Sequence, residues 1–281
     1  MPELPEVETI ARTLAPRVIG RYIGQFSLLS AKTLEAGLDL RPALRGAQVR
    51  AVRRRAKLLL LEAQGGDGRL LVMGFHLKMT GRLFIRDPKA EAHKHTKIIL
   101  DLFPCADCAE VESRLFFDDV RTFGYCRLMR PGDLEAWAFW NRLGPEPLEH
   151  APAELAARLQ RHRGQIKNLL LDQSVIAGLG NIYADEALFR AGIKPDSKAE
   201  KIDPARLLLL GGHIQAVLRE AIAACGSSIR DYRDADGNAG AFQNTFNVYG
   251  RAGQPCRKCG TILTGARIAG RGTSYCANCQ R

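Results

Sequence analysis

From Pro5 onward the apolar positions Val7, Ile10, Ala11, Leu14 and Val18 recur at the three-to-four-residue spacing of one helix face. Glu6 and Glu8 lie in the first turn, where the helix dipole favours negative charge, and Pro16 and Gly20 mark the end. Residues 22–130 follow another rhythm. Leu58-Leu59-Leu60-Leu61, Leu70-Leu71-Val72-Met73, Ile98-Ile99-Leu100 and Leu115-Phe116-Phe117 are short apolar runs separated by Gly, Pro, Asp and charge clusters, the pattern of strands. Many short strands without intervening helices predict an antiparallel sandwich or barrel-like domain. Pro131-Gly132 and Gly144-Pro145-Glu146-Pro147 bracket a change of character. Helical patterns follow over 152–162, 166–172, 182–191 and 204–224. Before the third of these, Gly178 and Gly180 permit a tight turn and Asn181 suits the N-cap, so the helix start could grip a phosphate. Residues 226–244, rich in Gly, Asp and Asn, read as a long loop of the functional or disordered kind.

The fold class is therefore α+β, an N-terminal antiparallel β-sandwich with an N-terminal helix joined to a C-terminal helical domain. The expected division is 1–131 for the sandwich, 132–150 for a hinge, 151–245 for the helical domain and 246–281 for a cysteine-rich terminus.

That terminus carries the sharpest chemistry. Cys256-x2-Cys259 and Cys276-x2-Cys279 are two knuckles with sixteen residues between them, a spacing that closes a tetrahedral zinc site across a β-hairpin. Four filled positions leave no open coordination site, so one structural Zn2+ is expected, supplying much of the folding energy of so small a unit. Arg267 and Arg271 lie on the hairpin. Cys105 and Cys108 form a further C-x2-C in a turn between strands; free thiols are expected there rather than a second metal or redox site, although His93 and His95 could approach in space. Cys126 and Cys225 read as ordinary strand and helix-end residues.

Charge and leader pattern narrow the class. A formal net charge of +11 favours a polyanionic partner, nucleic acid first. No run of about 18 apolar residues occurs, so no membrane span is expected. The acidic opening lacks a basic-then-apolar signal, which predicts a cytoplasmic protein with reduced cysteines.

The opening stretch, Met1-Pro2-Glu3-Leu4-Pro5-Glu6-Val7-Glu8, reads two ways. It is a solvated leader, or, once Met1 is removed, it presents Pro2 as a secondary amine. An α-amine titrates at about 7.7–8.0, so much of it is neutral near neutral pH and can form a Schiff base, with Glu3 beside it to carry protons. Three basic or mixed loops accompany it: Arg53-Arg54-Arg55-Ala56-Lys57, His76-Leu77-Lys78-Met79-Thr80-Gly81 and Asp118-Asp119-Val120-Arg121-Thr122-Phe123-Gly124. Each reads as a solvated face, or, if they converge, as a grip on a phosphate backbone.

Taken together, the chain resembles the bacterial formamidopyrimidine-DNA glycosylases over essentially its whole length. The resemblance rests on Pro2-Glu3-Leu4-Pro5-Glu6-Val7-Glu8, Arg54-Arg55-Ala56-Lys57, His76-Leu77-x-Met79-x-Gly81 and Asp119-x-Arg121-x-Phe123-Gly124. It rests further on Leu143-Gly144-Pro145-Glu146-Pro147-Leu148, Gly178-Leu179-Gly180-Asn181-Ile182-Tyr183-Ala184 and Val248-Tyr249-Gly250-Arg251 ahead of the zinc knuckles. The helical domain then resembles the family's helix–two-turn–helix. The resemblance implies an enzyme that excises oxidised purines, chiefly 8-oxoguanine and formamidopyrimidines, from duplex DNA and cuts the strand by β,δ-elimination. It implies Pro2 as nucleophile, Glu3 as proton carrier and Lys57 near the lesion, with Arg271 completing the catalytic set. Met79, Arg121 and Phe123 would fill the hole left by the flipped nucleotide, while His76, Asn181, Arg271 and Lys167 would hold DNA. Arg230, Tyr232 and Ser228 would belong to the loop that closes on the extruded base, and Glu186 matches a family acid near the terminal proline. Thr122 departs from the basic residue of many relatives, and the Cys105/Cys108 turn is longer than usual.

Two competing readings differ in kind. Endonuclease VIII-like glycosylases share the architecture, but usually open with Gly where Leu4 stands and lack the set at Arg121 and Phe123. A non-catalytic zinc-ribbon nucleic-acid-binding protein is compatible with the charge. Monomeric action on double-stranded DNA carrying oxidised bases or abasic sites is the expectation.

Overall fold

The computed structural model describes residues 2–37, 39–229 and 232–281. The chain forms two compact units, one of residues 1–141 with 225–240, the other of residues 142–224 with 241–281.

In the first unit, helix α1 (Leu4–Val18) begins at Pro5's turn and buries Val7, Ile10, Ala11, Leu14 and Val18, the stripe its spacing predicts. Strand β1 (Tyr22–Leu28), a short helix α2 (Arg41–Leu44) and strands β2 (Gln48–Arg55), β3 (Leu58–Gln64) and β4 (Leu70–His76) follow. Then come β5 (Gly81–Arg86), β6 (Thr96–Phe103), β7 (Ser113–Asp119) and β8 (Tyr125–Met129). All eight strands join one antiparallel sheet in the order β5-β7-β6-β1-β2-β3-β4-β8. The pairing of β1 with β2 is limited to Tyr22 opposite Gln48, and there the sheet folds over on itself. The fold-over brings the Phe75 ring of β4 to 5.6 Å from Phe117 of β7, five strand positions away in the hydrogen-bonded order. This makes the predicted sandwich.

The leucine run of β3 is buried on both faces. Leu59 and Leu61 enter the core between the sheet halves and α1, whereas Leu58 and Leu60 pack with Val72, Met129 and Trp137. Trp137 lies beside two helices that the sequence pattern did not reveal, α3 (Pro131–Ala136) and α4 (Ala138–Asn141), in the stretch expected to be hinge.

The second unit packs α5 (Pro152–Gln160), α6 (Ile166–Leu171), α7 (Asn181–Arg190) and α8 (Pro204–Ala223) against a hairpin of β9 (Thr264–Ile268) and β10 (Arg271–Tyr275). Gly211 lets α8 approach α5, because a Cβ there would meet the Pro152 carbonyl oxygen at 2.5 Å. The N-cap of α7 is Gly180, in extended conformation, and not Asn181. Asn181 is the first helical residue, and its side chain is engaged elsewhere.

The stretch 225–240, which the sequence grouped with the helical domain, packs with the first unit, and Ala235 enters that unit's core. Cys105 and Cys108 are joined by a disulfide, contrary to the expected free thiols. The β6–β7 connection turns tightly enough to bring their Cα atoms to 5.2 Å, within bridging range. His93 and His95 cannot join them, because they precede β6 while the cysteines follow it. Eight extended residues separate the two ends by roughly 26 Å.

Candidate functional site

In the first unit the terminus is fixed. Pro2 and Glu3 are buried, Glu3 with 3% exposure, at the head of α1. The Glu6 carboxylate secures this start from both sides: Oε2 accepts the Glu3 N–H at 2.8 Å and Oε1 accepts the Ser227 N–H at 2.8 Å. The Tyr232 hydroxyl donates to the Glu6 carbonyl at 3.3 Å, and burial followed by the Glu6 charge pushes its pKa up. One acid in the first helical turn thus ties the terminus to the 225–240 segment, which argues against a loose leader.

Lys57 is buried in the two-residue turn between β2 and β3, after Ala56 at φ 54°. Arg54 braces this turn, donating to the Ala56 carbonyl at 3.0 Å and to Glu8 of α1 at 2.8 Å. Burial raises the Glu8 pKa, but bonds from Arg54 and Arg12 outweigh it and leave the carboxyl below its usual value. His76, paired with Leu58 at the end of β4, is buried. Its Nδ1 accepts the Lys78 N–H at 3.1 Å, so the neutral ring carries its proton on Nε2. Burial, then the Lys78 and Lys57 charges, lower its pKa to about 3.

Met79 and Phe123 are exposed at 41% and 54%, and the Arg121 guanidinium lies over the Phe123 ring at 4.8 Å. The loops that carry them meet because Gly81 pairs with Asp119 and the Thr80 hydroxyl donates to the Asp119 carboxylate. Gly81 is required there, since a Cβ would meet the Leu77 carbonyl oxygen at 2.5 Å. Thr122 adopts φ 55°, an unfavourable region for a β-branched residue, inside the same loop.

In the second unit, Asn181 donates through Nδ2 to the Gly272 carbonyl at 2.8 Å, beside exposed Arg271 at the start of β10. Lys167 does not face solvent. It is fully buried, with Nζ 2.6 Å from Asp185 Oδ1. Glu186 is likewise engaged within its unit: its carboxylate accepts the N–H groups of Asn247, Val248 and Tyr249 at 2.9–3.0 Å. Arg230 lies outside the described residues. The bracing contacts of Glu6, Asp119, Arg54 and Ser227 are not visible in the sequence pattern, except that the acid at the third helical position after Glu3 signals a capping contact.

The four sulfurs of Cys256, Cys259, Cys276 and Cys279 lie within 4.8 Å of one another. Tetrahedral zinc at about 2.3 Å from each sulfur needs them about 3.8 Å apart, so the set fits that ion. Among the described residues no other group of three or more Cys, His, Asp or Glu side chains is so placed. No helix among the described residues is long and apolar enough to cross a membrane.

Three family matches run in order along the chain. Residues 1–126 match the formamidopyrimidine-DNA glycosylase N-terminal domain, 143–233 its H2TH domain, and 253–281 the zinc finger found in FPG and IleRS. With the folded sheet, the helical unit and the sulfur cluster, they define a zinc-finger DNA glycosylase. A formamidopyrimidine-DNA glycosylase of Nitratidesulfovibrio vulgaris is 59% identical over 219 residues, 78% of this chain and 58% of that protein's own length. One from Desulfitobacterium hafniense is 41% identical over 284 residues and all of both chains. Solved structures agree: a Lactococcus lactis FPG mutant with DNA containing Fapy-dG gives a TM-score of 0.89 at 33% identity over all of both chains. The L. lactis Fpg with DNA containing an abasic site gives 0.88 at 33% identity over 99% of each. The chain belongs to the formamidopyrimidine-DNA glycosylase family.

Proposed function

We propose that this chain removes oxidised purines, 8-oxoguanine and formamidopyrimidines, from duplex DNA and then cleaves the strand at the resulting site. The observation that carries the reading is the buried Pro2-Glu3 head of α1, held by Glu6 in a chain of this family.

Once Met1 is removed, the neutral amine of Pro2 attacks C1′ of the extruded nucleotide. The C1′–N bond breaks and its electrons leave with the base, which Glu3 assists by donating a proton. The attached nitrogen loses its proton, and the C1′–O4′ bond opens with its electrons going to O4′, which takes a proton carried by Glu3. The nitrogen–carbon bond thereby becomes an iminium that acidifies C2′–H. Loss of that proton expels the 3′-phosphate by β-elimination, a second elimination expels the 5′-phosphate, and water releases the enzyme. Lys57 lies in the turn braced against α1, suited to hold the adjoining phosphate. Arg121 and Phe123 stack in the vacated position, and Met79 fills beside them, as a planar cation and exposed apolar groups can. His76, Asn181 and Arg271 hold phosphates, and Tyr232 braces the loop over the extruded base. A single zinc in the four-cysteine site is structural: it holds the hairpin that presents Arg271. The protein acts as a cytoplasmic monomer.

Borohydride reduction during reaction with 8-oxoguanine DNA tests this directly. A covalent adduct located on Pro2 by mass spectrometry supports it; an adduct on Lys57, or none, overturns it.

A further inference from the structure

Lys167 of α6 is a basic side chain in a helical unit that the family associates with DNA, so phosphate contact is the obvious role. Its surroundings point elsewhere. The side chain has no exposure, and its Nζ lies 2.6 Å from both Asp185 Oδ1 of α7 and Thr273 Oγ1 of β10. The Thr273 hydroxyl in turn donates to the Arg271 carbonyl at 3.2 Å. Asp185 Oδ2 accepts the Ser274 N–H at 3.3 Å, and Asn181, one turn earlier on α7, holds the Gly272 carbonyl at 2.8 Å. Three consecutive residues of β10, Gly272, Thr273 and Ser274, are therefore each tied to α6 or α7 by a side chain. An isolated two-stranded hairpin is marginal, and nothing within β9 and β10 alone fixes its rotation. These ties do, and Arg271 is the next residue along the strand.

We propose that Lys167 is a positioning residue: through Thr273 it sets the strand from which Arg271 reaches DNA, and it makes no phosphate contact of its own. The inference rests on the reading of Arg271 as a phosphate ligand. Burial of a lysine at this point has a physical rationale. A charge paired with Asp185 inside the unit is lost only at high cost, so the link resists thermal slippage in a way that a solvent-exposed lysine would not. The same pairing keeps Lys167 from DNA, because reaching a phosphate would leave Asp185 buried and uncompensated.

The test is the salt dependence of duplex binding, measured by fluorescence anisotropy on the zinc-loaded full chain. R271A is expected to lower the slope of log K against log salt by about 1, the loss of one phosphate contact. K167M is expected to give the same drop, and R271A/K167M no more than either alone. T273V, which leaves the Lys167–Asp185 pair intact, is expected to reproduce the drop, and T273S, which keeps the hydroxyl, to restore the wild-type slope. A double variant whose slope falls by about 2 makes Lys167 an independent phosphate ligand and overturns the proposal. So does T273V with a wild-type slope. If R271A itself leaves the slope unchanged, the reading of Arg271 fails first and takes the proposal with it, an outcome distinct from additivity. Zinc content measured on each variant identifies any unfolding of the hairpin, and where K167M releases zinc the T273V and T273S pair decides.

Discussion

Asp119 accepts the backbone N–H of Arg121 at 3.1 Å through Oδ1, while its other oxygen accepts that of Gly124 at 2.7 Å. The carboxylate is 1% exposed, so a buried acid closes the loop from inside and leaves Arg121 and Phe123 projecting from it. The loop that presents the exposed ring is thus closed by backbone contacts to Asp119, and the Arg121 guanidinium lies over the ring. Phe123→Ala should remove the wedge without disturbing the loop. Base–aromatic stacking contributes about 1–3 kcal/mol per base, so lesion processing should fall roughly 5- to 150-fold while affinity for undamaged duplex changes little. Asp119→Asn, which weakens the loop, should show the same selectivity. Single-turnover excision compared with anisotropy on plain duplex checks both, and equal losses in the two assays would end the distinction between wedging and gripping.

His76 gives a pH signature. Its folded-state pKa is lowered to about 3 from 6.5, so between those values the unfolded chain binds a proton that the folded chain refuses. Its contribution to stability is complete above about pH 6.5 and is lost as pH falls towards 3, with a slope of at most about 1.4 kcal/mol per pH unit. Urea unfolding of wild type and His76→Gln at several pH values isolates this from the carboxylates titrating nearby. The difference between the two proteins should shrink or reverse on acidification; a pH-independent difference would show that the ring titrates normally.

Much of this architecture is legible in the sequence, for identifiable reasons. The helix at α1 shows because a single face is buried, and β3 shows as an unbroken leucine run because both of its faces are. The cysteine knuckles show because metal ligation depends on local spacing. What stayed hidden depends on contacts distant in sequence. The half-buried Arg82-Leu83-Phe84-Ile85-Arg86 of β5 has little pattern of its own and is a strand because β7 pairs with it. The segment 225–240 joins the first unit through Ser227 and Glu6, 221 residues apart. The inward course of Lys167 is set by Asp185 and Thr273, which no helix periodicity reveals. The Cys105–Cys108 bond depends on how tightly the β6–β7 connection turns, and C-x2-C spacing alone is equally compatible with free thiols.

That last difference is measurable. Of the eight cysteines, six lie outside the disulfide, four of them in the zinc cluster. Alkylation after denaturation with a zinc chelator but without reductant should modify six, and eight once a reductant is added. Eight in both conditions would mean that the bond is absent in solution. Replacing Cys105 and Cys108 with Ser should leave zinc content unchanged. Cys276→Ser, by contrast, should release zinc and weaken DNA binding, because the hairpin loses the ion that folds it. Elemental analysis of the three proteins checks this, and wild-type protein without stoichiometric zinc would contradict it.

The terminus offers the clearest separation of chemistry from binding. Pro2 is buried at the head of α1, and Glu6 holds the Glu3 N–H in place without using the Pro2 nitrogen. An extension ahead of Pro2, whether retained Met1 or an uncleaved tag, turns that nitrogen into an amide whose lone pair is delocalised into a carbonyl. Such a nitrogen cannot form an iminium, so borohydride trapping and strand cleavage should both disappear. Asn181, Arg271 and the Arg121–Phe123 loop are unaltered by it, so lesion DNA should still bind, provided that the extension is short. Glu3→Gln keeps the amine but removes the titrating carboxylate, and should slow base excision while sparing affinity. Lys57 is another buried amine of this unit, and an adduct mapped to it would require a different nucleophile. Intact-mass analysis first establishes the fraction of chains that begin at Pro2. Trapping yield should then scale with that fraction, and full activity in a preparation that retains Met1 would require a different nucleophile.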